Sequence, residues 1–145
     1  MTLPQSTGFL LVGKAIDAVK AVAPLSALPL VRNPRRPQHL DVGDQVLIVA
    51  EKADTLIEKS GWREKRRRTV TVGALSRNEG ADADADALYQ LVSDTVAAAL
   101  KEMLAAGEIG RLAERDVQFH VDDLDVDGAI VVGGWEIEYY RERPH

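Results

Sequence analysis

Residues 84–106 read DADALYQLVSDTVAAALKEMLAA, and this stretch decides the fold. Leu88, Leu91, Val92, Thr95, Val96, Ala99, Leu100 and Met103 recur at three- and four-residue spacing, which gathers them into one stripe over several helical turns. The spacing predicts a helix over 84–106, closed before Gly107. Asp82, Asp84 and Asp86 alternate with alanine at its start, where carboxylates favour the positive end of a helix by about 0.3–1 kcal/mol each. Asp84 or Asp86 is also placed to cap the first N–H groups. Such a helix needs a surface to cover its stripe, and the flanking segments supply strands.

On the C-terminal side, residues 116–124 alternate Val117, Phe119 and Val121, pointing inward, with Gln118, His120 and Asp122. Residues 130–141 alternate Val131, Trp135, Ile137 and Tyr139 with Glu136, Glu138 and Tyr140. Period two marks both as strands with one buried face, and the turn at 125–128 joins them as an antiparallel pair. On the N-terminal side, residues 65–75 set Val70, Val72 and Ala74 against Thr69, Thr71 and Gly73, while 45–50 form a continuous apolar run suited to a central strand. Residues 54–62 read as a long hairpin loop between those two. Residues 28–32 form a short edge strand, because Pro29 removes a ladder donor. Residues 33–43 hold two prolines and no apolar period, and read as an exposed loop. At the start, residues 8–23 space Val12, Ala15, Ile16, Val19 and Val22 helically around Lys14, Asp17 and Lys20, stopping at Pro24. The predicted fold class is α+β: one mainly antiparallel sheet with two helices packed on one face, a single domain over residues 1–145.

Composition narrows the function. The 145 residues include no cysteine, which excludes disulfides, thiolate metal sites and cysteine nucleophiles. The longest uncharged apolar stretches, 8–13 and 21–31, fall far below the roughly 18–20 residues needed to cross a bilayer. Residues 1–12 lack the basic start and small-residue cleavage site of a signal peptide, so the expectation is a chain cytosolic where it is made, with no membrane partner. Charge is uneven: residues 1–77 carry 13 Lys/Arg against 7 Asp/Glu, and residues 78–145 carry 5 against 16. Those halves have net charges of +6 and −11, which make up the −5 of the whole chain. Opposite charge draws such halves together within one molecule or between copies, and points toward assembly.

Nothing comparable points toward catalysis. His39, His120 and His145 are scattered, and the chain has no H-E-x-x-H, no G-x-S-x-G and no glycine-rich phosphate loop. The expectation is a protein that is not an enzyme, with no catalytic residues, no cofactor and no metal. Gly133-Gly134 inside a strand predicts a bulge or a close backbone contact. Asp123, Asp125, Asp127 and Gly128 spell D-x-D-x-D-G, the opening of a calcium loop. The bidentate acid such a loop requires at its twelfth position is replaced by Gly134, so the reading is an acidic hairpin turn. Arg63, Lys65, Arg66, Arg67 and Arg68 form the only dense basic run, and Trp62 is its single aromatic neighbour, too little for a base-stacking platform. On a strand, Lys65 and Arg67 share the solvent side and come across from Glu136 and Glu138, in the same sheet or on a neighbouring subunit. Candidate subunit-interface residues are therefore Arg66, Arg67 and Arg68 on the positive side and Asp122, Asp123, Glu136 and Glu138 on the negative.

This layout resembles the tail terminator (tail completion) proteins of long-tailed bacteriophages, the family of the minor tail protein U of lambda-type phages. The resemblance spans nearly the whole chain: the opening helix at 8–23, the strands at 45–50 and 65–75, the acid-led helix at 84–106, and a C-terminal pair ending in G-W-E-I-E-Y-Y at 134–140. It implies a structural protein that forms a hexameric ring at the head-proximal end of the tail tube, ends tube polymerisation and offers a surface for head and neck attachment. The implied partners are its own copies, the major tail tube protein and head/neck connector proteins, with DNA only passing through the channel; the implied location is the virion. A head–tail connector or neck subunit is the neighbouring reading. A nucleic-acid- or ligand-binding α+β module acting through residues 63–68 is the other. Millimolar calcium is expected to leave the melting temperature unchanged in a thermal-shift titration; a rise of several degrees would make the acidic turn a metal site instead.

Overall fold

The computed structural model describes residues 3–34, 44–78, 80–122 and 128–143. Helix α1 (Thr7–Lys20) is capped by Ser6, whose hydroxyl accepts from the Phe9 N–H, and it buries Leu11, Val12, Ala15, Ile16 and Val19. It stops short of the predicted residue 23, because the Val22 N–H turns to the Val19 carbonyl and tightens the chain into a last 3-10 turn ahead of Pro24. A single 3-10 turn (Leu25–Ala27) leads to strand β1 (Leu30–Arg32), which pairs in parallel with β2 (Gln45–Ser60).

Strand β2 turns at Gly61-Trp62, with Gly61 at φ +61°, and returns antiparallel as β3 (Arg63–Arg77). The loop expected at 54–62 is therefore strand as far as Ser60. Two bulges, between Glu51 and Ala53 and between Leu56 and Glu58, break its alternation and hid it from a period-two reading. Helix α2 (Ala81–Ala105) begins before the predicted Asp84, directly after Gly80 at φ +79°. The Ala-Asp pairs thus belong to the helix, with Asp82 and Asp84 in its first turn, and neither Asp84 nor Asp86 is the capping residue. Asp84 instead accepts a hydrogen bond from the Asn78 side-chain amide. Strands β4 (Arg111–Asp122) and β5 (Gly128–Glu142) form the expected antiparallel pair.

The sheet order is β1-β2-β3-β5-β4, with β1–β2 the parallel pairing and the rest antiparallel. Both helices lie on one face. Val12, Ile16 and Val19 of α1 and Val96 and Leu100 of α2 meet Val49, Val70, Val72, Trp135 and Ile137 of the sheet around a void of about 20 Å³. The fold is α+β, as the order of elements predicted. Among the described residues no helix is long and apolar enough to cross a membrane. One inward residue was misplaced: Phe119, in register with Val131, is 63% exposed. It sits on the edge strand, while α2 lies mainly over β3 and β5.

The pair Gly133-Gly134 is a close approach on both sides. A methyl group on Gly133 would run into the Tyr89 hydroxyl and ring from α2, and one on Gly134 would meet the Val70 carbonyl of β3. Gly133→Ala and Gly134→Ala are each expected to lower stability by about 1–3 kcal/mol, the usual cost of overpacking. Urea denaturation with an unchanged slope checks this, and wild-type midpoints would refute the close packing.

Candidate functional site

The helix-facing row of β3 changes character along its length. Ala74, Val72 and Val70 lie in the core, and the same row continues as Arg68, Arg66 and Glu64. Arg68 reaches Asp54 Oδ2 at 2.9 Å and Glu51 Oε2 at 2.5 Å. Arg66 holds Asp54 Oδ1 at 2.5 Å and Glu64 Oε1 at 3.1 Å. The Tyr139 hydroxyl from β5 donates to Asp54, and Arg143 Nε bonds Glu64 Oε2 at 2.7 Å. Glu51 also accepts from Arg32 Nε of β1 at 2.8 Å; Arg32 in turn donates to the Phe9 carbonyl at 2.8 Å and lies over the Phe9 ring. One polar network thus ties α1, β1, β2, β3 and β5 together where the hydrophobic core ends.

The opposite face of the sheet carries a second set. Arg67 Nη2 lies 3.0 Å and Lys65 Nζ 3.8 Å from the carboxylate of Glu138, which is buried. Arg115 pairs with Glu136 at 2.9 Å. With Arg111 and Ala113, residues Arg67, Glu136 and Glu138 line a shallow depression of about 110 Å³. Near the tip, the Arg63 guanidinium stacks 4.0 Å over Tyr140.

These contacts set the titration of the acids. Burial alone would raise the Asp54 carboxyl, but hydrogen bonds from Tyr139, Arg66 and Arg68 outweigh it and hold the group below its ordinary value. The Arg143 hydrogen bond does the same for Glu64, with Arg66 adding to it against the effect of burial. The Arg67 hydrogen bond lowers Glu138, assisted by Lys65 and Arg111. Burial, then the neighbouring Asp54, raises the Tyr139 hydroxyl. Carboxylates held down in this way are weak bases and carry no proton to donate near neutral pH, so the cluster is suited to fixing geometry.

Strand alternation splits the predicted basic run: Arg66 and Arg68 face the helices, and Arg67 faces away with Lys65. The expected partnership of Arg67 and Lys65 with Glu138 occurs within one chain. Glu136 is engaged by Arg115 instead. Asp122 ends β4 in register with Gly128, while Asp123 and the acidic turn lie outside the described residues, as do His39 and His145. Sequence reasoning missed Glu51, Asp54, Glu64 and Tyr139. Continuing β2 past residue 50 would have placed Asp54 opposite Arg68 and revealed them. Among the described residues no group of three or more His, Asp or Glu could hold a metal ion. No protein-family model matches the sequence, and no curated protein matches it.

The pH dependence follows from the lowered carboxyls. The native state resists protonation more than the unfolded chain, so their stabilisation is present above the ordinary carboxyl range of about pH 4 and is lost as pH falls below it. The urea midpoint is expected to hold from pH 7 to about 4.3 and then drop, with Asp54→Asn showing a shallower acid limb. Parallel acid limbs would remove Asp54 from that account.

Proposed function

We propose that the protein is a structural subunit of a long-tailed phage. In this reading its copies close into a ring, a hexamer in the family it resembles, at the head-proximal end of the tail tube. There the ring ends tube polymerisation and receives the head or neck proteins, with DNA only passing through. The observation that carries this reading is the arrangement of elements: an opening helix, a long β2–β3 hairpin, an acid-led helix and a C-terminal antiparallel pair, with both helices on one face.

The charged site supports a mechanical role over a chemical one. Its arginines and carboxylates neutralise each other across strands and stiffen the part of the sheet that extends beyond the helices. The same pairing weighs against a nucleic-acid module at residues 63–68, because Arg66 and Arg68 already hold Asp54 and Glu51. The protein is accordingly read as a non-enzyme of the virion whose partners are its own copies, the tail tube protein and the neck proteins.

Purified protein mixed with tail tubes assembled in its absence is expected to arrest elongation and to add one cap at one end of each tube. Negative-stain images showing tubes of unrestricted length with bare tips would refute the proposal. Caps at the portal vertex of tailless heads would assign the ring to the neck.

A further inference from the structure

We infer that copies join by seating the tip of the β2–β3 hairpin of one molecule in the groove between α1 and β1 of the next, with Trp62 as the anchor. This deepens the ring reading by naming the surface through which the copies meet.

The donor is a stiff arm. Strands β2, β3 and β5 remain paired out to Ser60, Arg63 and Glu142, and the Arg143 N–H bonds the Trp62 carbonyl at 2.8 Å. At its end Leu56, Ile57 and Trp62 are 46%, 38% and 55% exposed. Large apolar side chains left exposed near a rigid tip suit a docking site, and tryptophan is among the residue types enriched as anchors in one. Because the arm is already ordered, docking it costs little conformational entropy.

The receiver is a groove of about 460 Å³ whose lining includes Leu10 and Leu30 together with Lys14, Asp17, Lys20 and Arg32. Leu10 is 50% exposed there, so the groove has apolar surface left to cover. Its volume falls in the range of sites that accept a large aromatic group. Among the described residues, Asp17 and Lys20 at the groove and Glu58 and Lys59 at the tip have no ion-pair partner in their own chain, so each surface offers one charge of either sign to the other.

A second copy is the occupant because the arm cannot reach its own groove. Arg32, at the groove, is in register with Val49, and Ser60 lies a further eleven residues along the same strand. At about 3.3 Å per residue this separates tip and groove by roughly 30–35 Å. Two different surfaces at a fixed separation on one rigid body make a head-to-tail contact, which closes as a ring or runs on as a filament.

The absence of cysteine makes the test direct. Ser60→Cys places one thiol beside the tip and Asp17→Cys one in the groove, both at exposed positions. An equal mixture of the two variants, oxidised at millimolar concentration, is expected to give a disulfide-linked dimer. Adding Trp62→Ala to the tip variant should abolish that dimer, while Trp62→Phe should keep it, with urea midpoints confirming that both remain folded. Dimers from the tip variant alone, from the groove variant alone, or no dimer at all would each overturn the contact. Tubes capped by protein that does not cross-link would leave the ring reading standing and this contact wrong. Cross-linking without capping would do the reverse.

Discussion

The three central strands of this protein, β2, β3 and β5, are longer than the helices that cover them, and the rest of the structure follows from that mismatch. Strand β2 has 16 residues and β3 and β5 have 15 each, whereas α1 has 14 and α2 25 at less than half the rise per residue, so about 50 Å of strand meets helices of about 21 and 38 Å. A sheet face can be apolar only where something covers it. Past Val70 the helix-facing row of β3 changes from valine and alanine to arginine and glutamate, while Ile137 and Tyr139 carry the core one strand over on β5. There the residues on that row are charged and part-buried, and they are satisfied by one another instead of by an apolar cover.

Isolated exposed ion pairs contribute little, since solvent screening and side-chain entropy offset their attraction. This network differs in having a buried member. Glu64 is almost wholly shielded, with Arg66 and Arg143 bonded to it and Arg141 close by, so loss of one partner leaves a charge with poor access to water. Asp54 is similarly shared by Arg66, Arg68 and Tyr139. Interlocked pairs of this kind hold three strands in one geometry.

How much of this was legible in the sequence depended on whether a segment obeys one period throughout. The stripe of α2 and the alternation of β3 and β5 place those elements correctly, because each has one side in the core and the other in solvent. Residues 54–60 escaped notice for the opposite reason: solvent meets both faces, and a bulge sets Leu56 beside Ile57. The early turns of α2 were obscured by aspartates, which favour loops and helix starts alike. The charge asymmetry was also only partly informative. The basic excess of the first half is used largely on Glu51, Asp54 and Glu64 of that same half, and reaches the acidic half chiefly through Glu138.

The notch at Gly133 has a consequence for how the molecule carries force. With no side chain there, the Tyr89 ring drops against the backbone of β5 like a key in a slot. Sliding α2 along the strand would drive that ring onto the flanking Val131 or Trp135. Helix α2 is therefore latched to the same strand that forms one rail of the arm. Shear between that helix and the sheet is thus opposed by a steric stop as well as by apolar contact.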